Sequence, residues 1–182
     1  MDDGTWVIAS NIDGWLTYAE ADLLWRYNNG VWAEVGSWMG RSTVILASKS
    51  KGYAIDWFKG SSEHGAGTDT YDDFMRNTQL VKGNITVLNM DYHDAVDKIP
   101  KLDLLFLDAE HTYEATKDAF DLYAPKVKKG GYIILHDVWG LEHKREGNPW
   151  VGVTEFVDND LIKDKRFKHV EDADRSACFK KL

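Results

Sequence analysis

Short, nearly continuous apolar runs separated by stretches with helical spacing set the architecture of this chain. The runs at 31–35, 53–56, 85–88, 102–108 and 132–136 lack the in-out alternation of a one-sided sheet. They read as strands buried on both faces, the signature of a mostly parallel sheet. Helical spacing predicts helices over 42–50, 71–81, 95–98, 113–123 and 154–163, after an opening helix at 18–28. In that first helix Ala21, Leu24 and Trp25 share a face, and Asn28-Asn29-Gly30 ends it. The runs at 167–171 and 177–181, with Asp172-Ala-Asp174-Arg between them, predict a closing hairpin. The expected fold is α/β, a three-layer doubly wound sheet of seven strands, mostly parallel, with a terminal antiparallel hairpin. A chain of 182 residues fits one such domain.

In open sheets of this kind ligands collect beyond the carboxyl ends of the strands. Two runs deliver reactive groups there: Leu102-Asp-Leu-Leu-Phe-Leu-Asp108-Ala-Glu-His111 and Gly130-Gly-Tyr-Ile-Ile-Leu-His136-Asp137. After the run at 31–35, Val35-Gly36-Ser37-Trp38-Met39-Gly40 is a glycine-bearing turn that opens a helix, where backbone can approach a ligand without a Cβ in the way. Its Gly-x-x-x-Gly spacing is neither the dinucleotide nor the phosphate-loop signature. Glu34 beside it would repel a pyrophosphate and suit an ammonium or sulfonium charge. Asp56 ends the second strand, where a carboxylate can accept from ribose hydroxyls, and Asp91 follows the third, within reach of an adenine edge. Taken singly, each of these acids also reads as a helix cap or solvated loop residue. Two long connections without periodicity, 57–70 and 138–149, follow strand ends and read as lid or substrate-contact segments.

Composition narrows the partners. Hydrophobic residues make up 43% and charged residues 29%, and no window approaches a membrane span. The net charge of -8 argues against nucleic acid. The acidic start, Met1-Asp2-Asp3, lacks the pattern of an export signal, so a cytoplasmic location is expected. The single cysteine, Cys178, reads as a small apolar strand residue. Of eight tryptophans, Trp38, Trp57, Trp139 and Trp150 fall in predicted loops, where they would wall a pocket. His64, His93, His143 and His169 read as surface residues, and Glu110, Lys117 and Asp118 as a solvated helix face.

Asp108-Ala-Glu-His111-Thr-Tyr113, Lys128-Lys-Gly130-Gly131 and His136-Asp137-Val138 together resemble the class I S-adenosylmethionine-dependent methyltransferases, within them a small-molecule O-methyltransferase group. The likeness runs from Gly14-Trp-Leu-Thr17 to the final strand. It implies a Rossmann-like methyltransferase fold and S-adenosylmethionine held by Glu34, Gly36, Gly40, Asp56, Asp91 and Asp108. Met90-Asp91-Tyr92 departs from the small Gly-Asp-Ser-like run usual in that group. His111 would be the general base, its ordinary pKa lying near neutrality. Asp108, His136 and Asp137 would take the positions that hold Mg²⁺ or another divalent ion in metal-assisted relatives. A histidine there, where relatives offer acids or an amide, leans toward softer metals. A hydrogen-bonded strand-end histidine followed by a loop cap is the other reading of that pair. The implied partner is a small hydroxylated molecule. The alternatives are a nucleotide (NAD)-dependent oxidoreductase, against which the glycine spacing and Glu34 speak, and a cofactor-binding module without turnover. A homodimer could supply pocket wall that so short a chain lacks.

Overall fold

The computed structural model describes residues 1–61, 67–138 and 151–182. His64, His143, Trp139, Trp150 and parts of both long connections lie outside these residues. Seven strands form one sheet in the order β3-β2-β1-β4-β5-β7-β6. They are β1 (Trp32–Val35), β2 (Gly52–Asp56), β3 (Ile85–Asn89), β4 (Leu102–Leu107), β5 (Val127–Leu135), β6 (Phe167–Ala173) and β7 (Ser176–Lys181). The first five pair in parallel, and β7 runs antiparallel to both β5 and β6. This is the expected doubly wound sheet with its terminal hairpin.

Alternation along β1 decides what lies on each side. Ala33 and Val35 join Leu105, Leu107, Ile133 and Leu135 in one buried cluster. Helices α5 (Tyr92–Ala95), α6 (Tyr113–Tyr123) and α7 (Val151–Asn159) cover it, with Phe120, Tyr123 and Phe156 at its centre. Trp32 faces the other way with Leu104, Phe106, Ile134 and Cys178, under α1 (Asp3–Ser10), α2 (Tyr18–Tyr27) and α3 (Arg41–Lys49). The remaining helix, α4 (Tyr71–Asn77), packs Phe74 on Phe58 and Ala54. Burial pushes the Cys178 thiol well up, so it stays an inert apolar filler. No described helix is long and apolar enough to cross a membrane.

Several boundaries depart from the periodicity for local reasons. Helix α1 was invisible to it because Gly4, Thr5, Val7 and Ile8 are weak helix formers, yet Asp2 caps it by accepting from the Thr5 amide at 2.8 Å. Helix α4 stops at Asn77, where the Thr78 hydroxyl donates to the Phe74 carbonyl at 2.8 Å in place of a further turn. The helix expected at 95–98 starts earlier, at the Asp91 cap, and finishes as a 3₁₀ turn. Strand β5 begins at Val127, ahead of Gly130 at φ +82°, and its pairing with β4 shifts register between Leu102 and Leu104.

Gly52 stands opposite Trp32, and a Cβ on it would lie 2.2 Å from the buried indole. Gly52→Ala should therefore lower stability by about 2–3 kcal/mol through overpacking. Urea denaturation measures this, and a midpoint like that of the wild type would contradict it.

Candidate active site

The hydrogen-bond ladder runs one residue past several strand ends. The Gly36 amide donates to Ile55 O at 2.9 Å, Asp108 to Val35 O at 2.9 Å and His136 to Leu107 O at 3.0 Å. Gly36, Asp56, Asp108 and His136 therefore leave the sheet side by side. Gly36 has φ +90°, and a Cβ on it would sit 2.0 Å from the Asp108 carbonyl, so only glycine lets the turn after β1 pass this close to β4. Above these ends lies a cavity of about 600 Å³, ample for a cofactor-sized ligand. Trp38 and Trp57 line it, as does Trp15 from a strap of chain at 11–17 that crosses its mouth between α1 and α2. Four described non-glycine residues have positive φ, namely Trp38, Phe58, Asp137 and Asp174. All stand in loops at this edge of the sheet, where backbone strain tends to accompany function.

The residues expected at the cofactor end divide. Asp56 and Asp91 line the cavity. The Asp56 carboxylate accepts from the amides of Ser37 and Trp38, both at 2.8 Å, and of Phe58 at 2.7 Å, so it also braces the glycine turn. Asp91 caps α5 and pairs at 2.6 Å with the His93 ring, whose other nitrogen lies 2.7 Å from Asp118. His93 and Asp118 are the surface residues expected, and they pair with one another. Glu34 and Gly40 are not part of the lining. Glu34 is fully buried on the face of β1 opposite Ala33 and Val35, where the Thr43 hydroxyl of α3 donates to it. It stands behind the turn, among hydroxyls of Ser37, Ser42 and Thr43. Gly40, at φ +93°, begins α3, and a Cβ there would come 2.7 Å from the Thr78 methyl, so its smallness serves packing.

At the other end four groups converge. His111 Nε2 lies 3.3 Å from Asp137 Oδ2 and 3.6 Å from Asp108 Oδ1. His136 Nδ1 lies 3.2 Å from each of those two carboxylates. Its Nε2 points away, 3.4 Å from Glu20 Oε1. Burial alone would lower the His136 pKa, but the Asp108 charge and bonds to Asp108, Asp137 and Glu20 raise it well above the usual histidine value. Burial would raise Asp108, yet the charge of His136 and hydrogen bonds from His111 and His136 hold it well below the carboxylate range. Asp137 is lowered as well, against burial, by His111 and His136.

Ligand atoms of Asp108, His111 and Asp137 lie within 4.8 Å of one another, and His136 Nδ1 faces the same two carboxylates. Periodicity missed Glu20 and Arg175. Thr17-Tyr-Ala-Glu20 is a legible capping box, and Glu20 does close it, but its Oε1 continues to His136 and to the Arg175 amide at 2.9 Å. Nothing local marks Arg175, which reaches Asp137 at 3.1 Å from the hairpin between β6 and β7.

Residues 33–138 match the protein family described as "Methyltransferase domain". Among solved structures, an O-methyltransferase from Bacillus cereus in complex with SAH superposes with a TM-score of 0.69 at 15% identity, over 100% of this chain and 92% of that one. TomG, an O-methyltransferase from Streptomyces achromogenes involved in tomaymycin synthesis and solved in complex with SAM, gives 0.70 at 12% identity, over 100% and 91%. An uncharacterized protein of Acanthamoeba polyphaga mimivirus is 42% identical over 43 residues, a stretch covering 23% of this chain and only 20% of that protein.

Burial pushes the Glu34 carboxyl up to about 7, with the Ser42, Thr43 and Ser37 hydroxyls only partly offsetting it. The folded state therefore holds this proton more tightly than the unfolded chain. The associated stability is complete below the unfolded value near 4.5 and is lost as pH rises through about 7. Chemical denaturation at pH 4.5 and pH 8 should show a loss, on the order of 2–3 kcal/mol, that Glu34→Gln abolishes. Equal pH slopes in the two proteins would contradict this.

Proposed function

The chain belongs to the methyltransferase-domain family, and on that premise we propose that it transfers a methyl group from S-adenosylmethionine to a hydroxyl of a small molecule. The observation that carries the reading is His111 set between Asp108 and Asp137 on the wall of a cavity floored by the glycine turn. The lining fits the donor in charge. Asp13, Asp56, Asp91, Asp108 and Asp137 face the cavity, and its two arginines, Arg41 and Arg175, donate to main-chain carbonyls of the strap and its approach. Such a surface favours a ligand carrying sulfonium and ammonium charge over a pyrophosphate, which counts against a dinucleotide.

When bound, S-adenosylmethionine supplies a methyl group activated by its sulfonium. The turn at Gly36 and the Asp56 brace shape one side of the cavity for it. The His111 imidazole accepts the proton of the acceptor hydroxyl as its oxygen becomes nucleophilic. Asp108 and Asp137 orient the ring and stabilise the imidazolium that results. His136, turned to Glu20, keeps the two carboxylates together without taking the proton.

A second reading rests on the convergence of Asp108, His111 and Asp137. These residues would hold a divalent metal that lowers the acceptor pKa, with His111 then a ligand and not the base.

Calorimetry with S-adenosylmethionine should show binding that Asp56→Ala weakens by about tenfold and His111→Ala leaves intact, consistent with loss of one bracing carboxylate. Absence of binding, or binding of NADH in its place, would remove the proposal. Across a panel of small hydroxylated acceptors, His111→Ala should lower methyl transfer by roughly 10²–10⁴-fold. Undiminished turnover in that variant would reject the base. Full activity in excess chelator supports His111 as base, and loss restored by added metal supports the second reading.

A further inference from the structure

The strap at 11–17 is held from two sides. Arg41 of α3 donates to the carbonyls of Ile12 and Leu16 at 2.7 and 3.1 Å. On the other side, Arg175 Nη2 donates to the Trp15 carbonyl. The same guanidinium places Nη1 3.1 Å from Asp137 Oδ1 and Nε 3.7 Å from Glu20 Oε1. The Arg175 carbonyl accepts from the Val138 amide at 2.8 Å, which fixes the hairpin to the chain leaving β5. Glu20, His136, Asp137 and Arg175 thereby form a closed ring of contacts.

We propose that Arg175 is a latch, a positioning residue that ties the strap across the cavity mouth to the carboxylate beside His111. Donor retention and the placement of Asp137 then depend on one guanidinium. Its planar fork suits the task, since it reaches a carbonyl and a carboxylate at a fixed angle, which a lysine ammonium on a flexible stem does not. Neighbouring contacts secure the arrangement. Asp174, preceding it at φ +47°, accepts from the Thr17 hydroxyl at 2.6 Å, where the strap passes into α2. Trp15 lies over the mouth, 59% exposed, with its ring centroid 6.0 Å from that of Trp38. The latch rests on the methyltransferase reading for the identity of the ligand it retains.

Stopped-flow release of S-adenosylhomocysteine, followed by tryptophan fluorescence, needs no acceptor and reads the latch directly. Arg175→Ala should release it at least about tenfold faster than the wild type, since such changes act mainly on dissociation. Guanidinium ion at low millimolar concentration should slow that release, where sodium at equal ionic strength does not. Arg175→Lys, which keeps the charge and loses the fork, should remain several-fold faster and serves if the alanine variant does not fold. Arg26→Ala is the control: Arg26 joins the same two elements, α2 and the hairpin, through Glu171 at 2.6 Å, away from the cavity, and its loss should leave release unchanged. Wild-type release rates in folded Arg175 variants overturn the latch alone. Failure of the wild type to bind S-adenosylhomocysteine overturns the donor reading and the latch with it.

Discussion

Val35, Ile55, Leu107 and Leu135 stand abreast across four parallel strands, and the site depends on that register. Because the partners are in step, Gly36, Asp56, Asp108 and His136 emerge at one height, although 100 positions separate the first from the last. A slip of one residue would send each side chain to the opposite face and bury the acids in the helical layers. The register is secured by the two apolar clusters and by the approach of Gly36 to the Asp108 carbonyl, which leaves no space for a side chain. Packing therefore sets the chemistry at this edge.

Close packing also brings a liability, since charges in such a place are costly unless paired. Glu20 is fully buried and His136 is 3% exposed, so neither could remain ionised alone. The chain answers with partners from distant elements: a carboxylate from α2, an arginine from the closing hairpin and two acids from strand ends. The pairing sets His136 between Asp108 and Asp137, beside His111 on the cavity wall. Removing any one of these groups leaves another buried charge short of a counterpart.

The strand pattern made the sheet legible, because runs buried on both faces carry their identity locally. Asp56, Asp108, His111 and Asp137 were legible for the same reason, as residues that follow such runs. Glu34 stands outside the cavity lining, which nearness to the glycine turn does not reveal. Within Trp32-Ala-Glu34-Val, alternation already puts the glutamate with Trp32, on the face that α3 covers. Glu20 showed its capping role and hid its second one, since the contact with His136 spans 116 positions. Arg175 gave no signal at all, for its partners are set by the fold and not by neighbours in sequence. The pairing of His93 with Asp118, across the gap from α5 to α6, was hidden in the same way.

A crystal structure of the chain with S-adenosylhomocysteine tests the central claim most directly. The expected result places the ligand in the cavity beneath Trp15 and Trp38, its sulfur turned toward the space between Asp108, His111 and Asp137. Density for the ligand elsewhere, or a sulfur directed away from His111, would contradict it.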